Sequence, residues 1–246
     1  MIDNKTLSKY CHDYLNVDAF HDYCPNGLQI EGKPNITKII SGVSANQDLI
    51  DRAIDEGADA LFVHHGFFWK NENSAIIGIK KNRIKALLKH NINLFAYHLP
   101  LDAHPKVGNN AQLAQRFNIK NPTSIGDTLV WQGEVDTTLG SFSNTIKQVL
   151  SRTPLVFGAD DKILKRIAWY SGSAQTYIEH AINIDADCFI TGEVSEKIPA
   201  IAKENNIAFI SAGHHATERY GVQALCQYLS DKFRFKHQFI DIDNHV

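Results

Sequence analysis

The 246-residue chain has little that would tie it to a membrane, an oxidising compartment or a nucleic-acid surface. No apolar run approaches the ~20 residues of a membrane span. The opening stretch MIDNKTLSKY lacks the apolar region of a signal peptide. Cysteine is scarce: Cys11, Cys24, Cys188 and Cys226 lie far apart and make no CxxC pair. They read as reduced thiols, and the expected location is the cytoplasm. An excess of charge of one sign is also missing. A net charge of −2 gives no general nucleic-acid footprint, so no nucleic-acid partner and no membrane partner are expected. The one basic cluster, Lys80, Lys81, Arg83, Lys85 and Lys89, alternates with Ile84, Leu87 and Leu88. It reads as the wet face of an amphipathic helix. No glycine-rich phosphate loop occurs either.

What is present is ordinary globular composition, 43% hydrophobic and 21% charged. That suffices for one large domain or two intertwined lobes. The stretch that organises the chain is Ala58–Trp69, ADALFVHHGFFW. Ala60–Val63 has the length and composition of a buried strand of a parallel sheet. It ends in His64-His65-Gly66, and ligands gather where the strands of open α/β sheets end. Neighbouring side chains of an extended segment point to opposite sides, so two adjacent histidines suit two metals, one each.

The flanking pattern is α/β. A helix is predicted over Asn4–Leu15 and a core strand over Ile36–Val43. A helix capped by Ser44 or Asn46 follows, with apolar face Leu49, Ile50, Ala53 and Ile54, and Gly57 ends it. Further helices are expected at Arg83–His90, from Gly108-Asn109-Asn110 to Phe117, and at Ser143–Leu150. Strands are expected at Ile92–Tyr97, Leu129–Val135, Leu155–Phe157, Ile163–Tyr170 and Gln238–Ile242. The pattern also repeats. Ile50, Ala53, Ile54, Ala58 and Asp59 recur at the same spacing as Ile178, Ala181, Ile182, Ala186 and Asp187. Ala60–Val63 answers Cys188–Thr191, and Ile92–Tyr97 answers Ile207–Ala212. His98 with Asp102 answers His214 with Glu218, each pair four apart. The expected fold is therefore α/β, with two similar intertwined αβ lobes related by a pseudo-twofold and a metal site in the crevice. The first lobe takes residues 1–125 and the second 126–246, with the C-terminal segment packing back on the first.

His64, His65, His98, Asp102, Glu193, His214, His215 and Glu218 collect at the strand ends. The set mixes imidazole and carboxylate without thiolate, which suits Zn, Fe, Mn, Co or Ni. A carboxylate such as Glu218 can bridge two cations ~3.5–4 Å apart that share one water.

Several stretches together resemble one family. They are Tyr23-x-Pro25-Asn26-Gly27-Leu28-Gln29, His64-His65-Gly66, His98-x-Pro100-Leu101-Asp102, Gly108-Asn109-Asn110, Thr191-Gly192-Glu193 and Gly213-His214-His215-x-x-Glu218. The family is the NIF-three-like (NGG-one-interacting factor three-like) family, also labelled GTP cyclohydrolase 1 type 2 homologs. The resemblance covers essentially the whole chain and is closest to the short bacterial members. It implies a dinuclear metal centre with two divalent ions per chain, in a toroidal homohexamer built as a trimer of dimers. Carried over, His65 and Asp102 bind one metal, His64 and His214 the other, and Glu218 bridges. His98 and Glu193 are the expected catalytic groups, orienting ligands or moving protons.

The expected function is metal-dependent hydrolysis of a nucleotide or related small molecule. The leading label is GTP cyclohydrolase type 2-like purine ring opening, with formate released after attack at C8 of guanine. Alternatives are a two-metal phosphoesterase and a non-catalytic metal-binding scaffold. Phe67, Phe68 and Trp69 suit either base stacking or oligomer contact.

Overall fold

Parallel strand pairing organises both halves of the chain. The computed structural model describes residues 1–246 and divides into two units. One comprises Met1–Gly108 with Arg219–Asp243, the other Asn109–Glu218 with Asn244–Val246. No helix is long and apolar enough to cross a membrane.

The first unit opens with β1 (Ile2–Asp3), α1 (Asn4–Tyr14), β2 (Gly27–Ile30) and β3 (Asn35–Ile36). It continues through β4 (Lys38–Ser44), α2 (Gln47–Asp55), β5 (Ala60–His65), α3 (Gly78–Lys89), β6 (Asn93–Ala96) and α4 (Leu99–Ala103). β4, β5 and β6 are parallel neighbours, in register at Ile39↔Ala60 and Ala60↔Asn93. β2 closes the sheet antiparallel to β6. Alternation along β5 feeds two cores. Ala60 and Phe62 pack with Leu7, Cys11, Phe95 and Tyr97. Leu61 and Val63 pack with Ile40, Leu49, Ile50 and Leu94. A strand buried on both faces must be apolar at every position, which is why Ala60–Val63 carries no polar residue. Asn46 caps α2, its Oδ1 accepting from Leu49 N at 2.9 Å.

The second unit runs through α5 (Asn109–Arg116), β7 (Lys120–Ser124), β8 (Trp131–Thr138), α6 (Leu139–Leu150), β9 (Leu155–Phe157) and β10 (Ile163–Trp169). Then come α7 (Ile178–Asn183), β11 (Cys188–Thr191), α8 (Ile198–Glu204) and β12 (Ala208–Ser211). β10, β11 and β12 are parallel neighbours, and β9 lies antiparallel on β12. This is the connectivity of the first sheet: three parallel strands in chain order, with the strand that precedes them closing the third. The sequence repeat thus marks a repeated topology.

One aspartate in each unit ties the repeat together. Asp59 Oδ2 accepts the amides of Thr37 (2.9 Å) and Lys38 (3.1 Å). Asp187 Oδ2 accepts the equivalent amides of Lys165 (2.7 Å) and Arg166 (2.9 Å). Each residue also joins the ladder through its own backbone, Asp59 N to Lys38 O and Asp187 N to Arg166 O. The carboxylates hold the entry to the second parallel strand against the first where their pairing begins. They thereby set which residues emerge at the far ends.

The remaining elements are α9 (His214–Phe233) and β13 (Lys236–Phe239). The first turn of α9 belongs to the second unit, and Arg219 onward to the first. Val222, Leu225, Cys226 and Leu229 fill the core beside Leu7 and Phe95. β13 pairs parallel with β4, two residues earlier than the predicted Gln238–Ile242.

Other boundaries also moved. α3 begins at Gly78 rather than Arg83, and the exposed Ile79 hides its first turn from the apolar period. α6 begins at Leu139, because Thr138 rather than Ser141 or Ser143 caps it. The units divide at Gly108–Asn109. Residues 109–125, assigned to the first lobe from sequence, therefore lie in the second unit, where β7 pairs with β8.

His237 on β13 gives the fold an acid-sensitive element. Its Nε2 lies 2.8 Å from Ser41 Oγ. Burial pulls its pKa down to about 4, against an opposing pull from Asp231. Between the ordinary value near 6.5 and about 4 the unfolded chain binds a proton that the folded chain refuses. Stability from this residue is therefore present above that window and is lost as pH falls through it. Urea unfolding at pH 7 and pH 5 should show a smaller acid-induced drop in midpoint for His237→Gln than for the parent. An equal drop would contradict the assignment.

Candidate metal centre

The donors fall into two sets, one in each unit, and both lie at or just beyond the C-terminal ends of parallel strands. In the first unit the β5–β6 register ends at Val63↔Ala96. His64, His65, Tyr97 and His98 follow immediately. One ligand atom each from His64, His65 and His98 lie within 4.8 Å of one another. His64 is fully buried and its Nδ1 donates to Tyr97 O at 2.9 Å. Its Nε2 is 3.6 Å from Asp102 Oδ2, on the short helix α4. His65 Nδ1 lies 3.0 Å from Ser44 Oγ, at the end of the neighbouring strand. His98 Nδ1 donates to Asp22 Oδ1 at 2.7 Å.

The second unit repeats this arrangement at β11 and β12. Gly192 N donates to Gly172 O and Gly213 N to Gly192 O, so the three strand ends stay joined past the sheet. His214 Nδ1 lies 2.6 Å from Glu193 Oε1, and Ser173 Oγ donates to Glu193 Oε2 at 3.0 Å. His214 Nε2 lies 3.1 Å from Glu218 Oε2, one helical turn on. Burial lowers the His214 pKa, but the hydrogen bonds and charges of Glu218 and Glu193 outweigh it and raise it to about 9. A place that holds positive charge so firmly suits a cation. Gly172, at φ +67°, completes the cradle: a Cβ there would clash with Glu218 Oε1 and lie 3.3 Å from His214 Nε2. His215 is buried, and its amide donates to Val246 O at 3.0 Å.

The residues fit divalent metal ions. In all four imidazoles Nδ1 is engaged by a carbonyl, hydroxyl or carboxylate, which turns Nε2 toward the strand-end donors. Such outer partners are the usual companions of metal-bound histidine. Carboxylates accompany both sets, and no thiolate does: burial and the charge of Asp22 push the nearby Cys24 thiol up to about 12.

Several partners escaped the sequence reading. Asp22, Asn26 and Gln29 flank or belong to the Tyr23–Gln29 motif, which reads locally as a turn. Asn26 Oδ1 accepts from His98 N at 2.7 Å. Gln29 Oε1 accepts from Phe67 N at 2.7 Å, and its Nε2 donates to Phe67 O at 3.1 Å. The aromatics separate. Phe67 is buried in the core with Phe68 against it, so neither face of Phe67 is open to a base. Trp69 instead stands edge-on to His98, with centroids 5.1 Å apart, and 5.9 Å from His65.

Strand-end imidazoles and carboxylates on two mixed sheets with parallel centres define an α/β protein with candidate metal-binding groups. The chain belongs to the family described as Duf34/NIF3 (NGG1p interacting factor 3), whose profile matches residues 2–245. It is 48% identical over 245 residues to the GTP cyclohydrolase 1 type 2 homolog of Pseudomonas aeruginosa, covering 97% of each chain. Among solved structures it resembles protein ybgI, described as of unknown function, at TM-score 0.95 and 44% identity over 100% of both chains. It also resembles a protein of Thermus thermophilus at TM-score 0.91 and 34% identity, again over 100% of both.

Gly66 is where the Gln29 clamp meets the site. A Cβ there would clash with Gln29 Oε1 and sit 2.5 Å from Ala96 Cβ. Gly66→Ala should lower stability by about 1–3 kcal/mol, the ordinary cost of overpacking. Denaturant unfolding measures it, and an unchanged midpoint would show that the loop yields freely.

Proposed function

We propose that the protein is a hydrolase that uses two divalent metal ions per chain and acts on a nucleotide or related small molecule. In this reading His65 and Asp102 hold one ion, His64 and His214 the other, and Glu218 serves both. The observation that carries it is the shared arrangement of the histidines at the strand ends, each with Nδ1 held by an oxygen partner and with a carboxylate close by. When bound, paired divalent ions supply Lewis acidity and make water a stronger nucleophile near neutral pH. Glu193, held by Ser173, orients His214. His98 and Glu193 are the groups placed to accept and return protons, work typically worth ~10²–10⁴-fold in rate.

The name shared by relatives such as that of Pseudomonas aeruginosa points to ring opening of GTP. There, one water adds at C8 of guanine and the imidazole ring opens to a formamide, which a second water hydrolyses to release formate. Phosphoester hydrolysis is the competing outcome, and formate release separates the two. Trp69, beside His98 and His65, is the aromatic available to a planar base.

Elemental analysis of protein prepared without chelators should approach two transition-metal ions per chain, and a ceiling of one would overturn the dinuclear reading. Glu218→Gln keeps the size but replaces an anionic oxygen with an amide nitrogen that does not ligate. It should lower metal occupancy and abolish metal-dependent turnover, with the circular dichroism spectrum kept. Retention of both ions and full turnover would remove Glu218 from the ligand set.

We also propose a homohexamer, a ring built as a trimer of dimers. Light scattering should give six times the 27.6 kDa chain mass, and a stable monomer at micromolar concentration would contradict it.

A further inference from the structure

The Tyr23–Gln29 motif contributes no ligand to the metal set proposed above. Yet it and the residue before it grip the loops that leave β5 and β6. Gln29 holds both backbone groups of Phe67, and Asn26 holds the backbone of His98. Asp22 does more than hold backbone, because it also reaches the His98 ring.

Asp22 has only 3% of its side chain exposed, and both its oxygens are occupied. Oδ1 accepts from Tyr23 N at 2.6 Å and from His98 Nδ1 at 2.7 Å. Oδ2 accepts from Leu99 N at 2.9 Å and from Asn26 Nδ2 at 2.9 Å. The carboxylate cannot rotate without breaking several of these bonds. Burial raises its pKa, but the hydrogen bond and charge of His98, with Asn26 and the Tyr23 amide, bring it down to about 2. An ionised carboxylate only accepts, so the proton of a neutral His98 ring must sit on Nδ1. The Ser44 hydroxyl beside His65 can donate or accept and imposes no such choice. Among the three strand-end imidazoles of the first unit, His98 is therefore the one whose Nδ1 is held by a charged partner, a stronger bond than either neutral one. Its centroid lies 5.0 Å from that of His64 and 5.8 Å from that of His65.

We propose that Asp22 is the positioning residue of this site: it fixes His98 in the Nδ1–H tautomer, so that Nε2 is presented beside the His64–His65 pair as hydrogen-bond acceptor for the reacting water. The role of that water rests on the hydrolase reading, whereas the tautomer does not. Asp22→Asn keeps the size but brings an amide N–H₂ against groups that are all donors. If the amide nitrogen faces His98, Nδ1 becomes an acceptor and the proton moves to Nε2, where it blocks acceptance from water.

The test is ¹⁵N NMR of the histidine rings in zinc-loaded, full-length protein at one fixed neutral pH, paired with zinc content and steady-state kinetics. In the parent, His98 should show a protonated Nδ1 and an unprotonated Nε2. In Asp22→Asn the two should exchange character. Zinc content should stay within the error of the parent, and kcat should fall ~10²–10⁴-fold with KM little changed. Adding Asp22→Asn to His98→Gln should cost no further rate. A parent His98 protonated at Nε2 overturns the proposal with no variant needed, so a misfolded variant does not rescue it. A fall in kcat in folded Asp22→Asn with the His98 tautomer unchanged also overturns it. Zinc loss in Asp22→Asn as severe as in His64→Ala overturns the acceptor role and makes His98 a ligand. If no nucleotide is turned over by the parent, the hydrolase reading fails while the ring spectra still decide the role of Asp22.

Discussion

The structure depends on in-register parallel pairing, anchored at its start by one aspartate in each unit. Asp59 and Asp187 each accept two consecutive amides of the neighbouring chain segment just before its parallel pairing begins. In a parallel ladder, a register fixed at one end is fixed at the other. A slip of one residue would turn every side chain of β5 to the opposite face, exchanging the two cores it feeds and moving His64 and His65 with them. The positions of the strand-end histidines thus follow from hydrogen bonds made at the far end of the same strands.

At the strand ends, the chemistry is set by what lies behind each imidazole. His64 backs onto a carbonyl, His65 onto a hydroxyl, and His98 and His214 onto carboxylates. These partners differ in charge and in whether they can donate, so chemically identical rings need not play identical roles. His214 has Glu193 at one nitrogen and Glu218 at the other, which concentrates negative potential where a cation would sit. Glycines make room for this crowding. Gly172 lets Glu218 approach the β10 end, and Gly66 lets Gln29 pass beside β6.

Much of this was legible in the chain. The apolar run Ala60–Val63 had to be a buried strand, and its abrupt end in two histidines marked the donor site. The spacing of His98 with Asp102 and of His214 with Glu218 gave both halves the same polar signature. The repeat then foretold two similar αβ lobes, and the structure gives each a sheet with three parallel strands in chain order. Boundaries were less readable where caps or edges decided them, as with Thr138 ahead of α6. β7 is an exposed strand containing Asn121-Pro122, so its sequence carries turn signals and no apolar alternation. Phe67 also misled, since an aromatic beside a site is equally able to face inward, and here it does.

Local pattern, by itself, determined the order of elements, the buried strands and the residues placed at their ends. These follow from side-chain period and turn chemistry, which act over a few residues. Tertiary structure alone decided which group engages Nδ1 of each imidazole. Asp22 lies 76 residues from the His98 it orients, and Glu193 lies 21 from His214. Such pairings carry no periodicity. They depend on where strand register and loop clamps deliver each group, and a hydrogen bond between remote residues exists only once the backbone has brought them within reach.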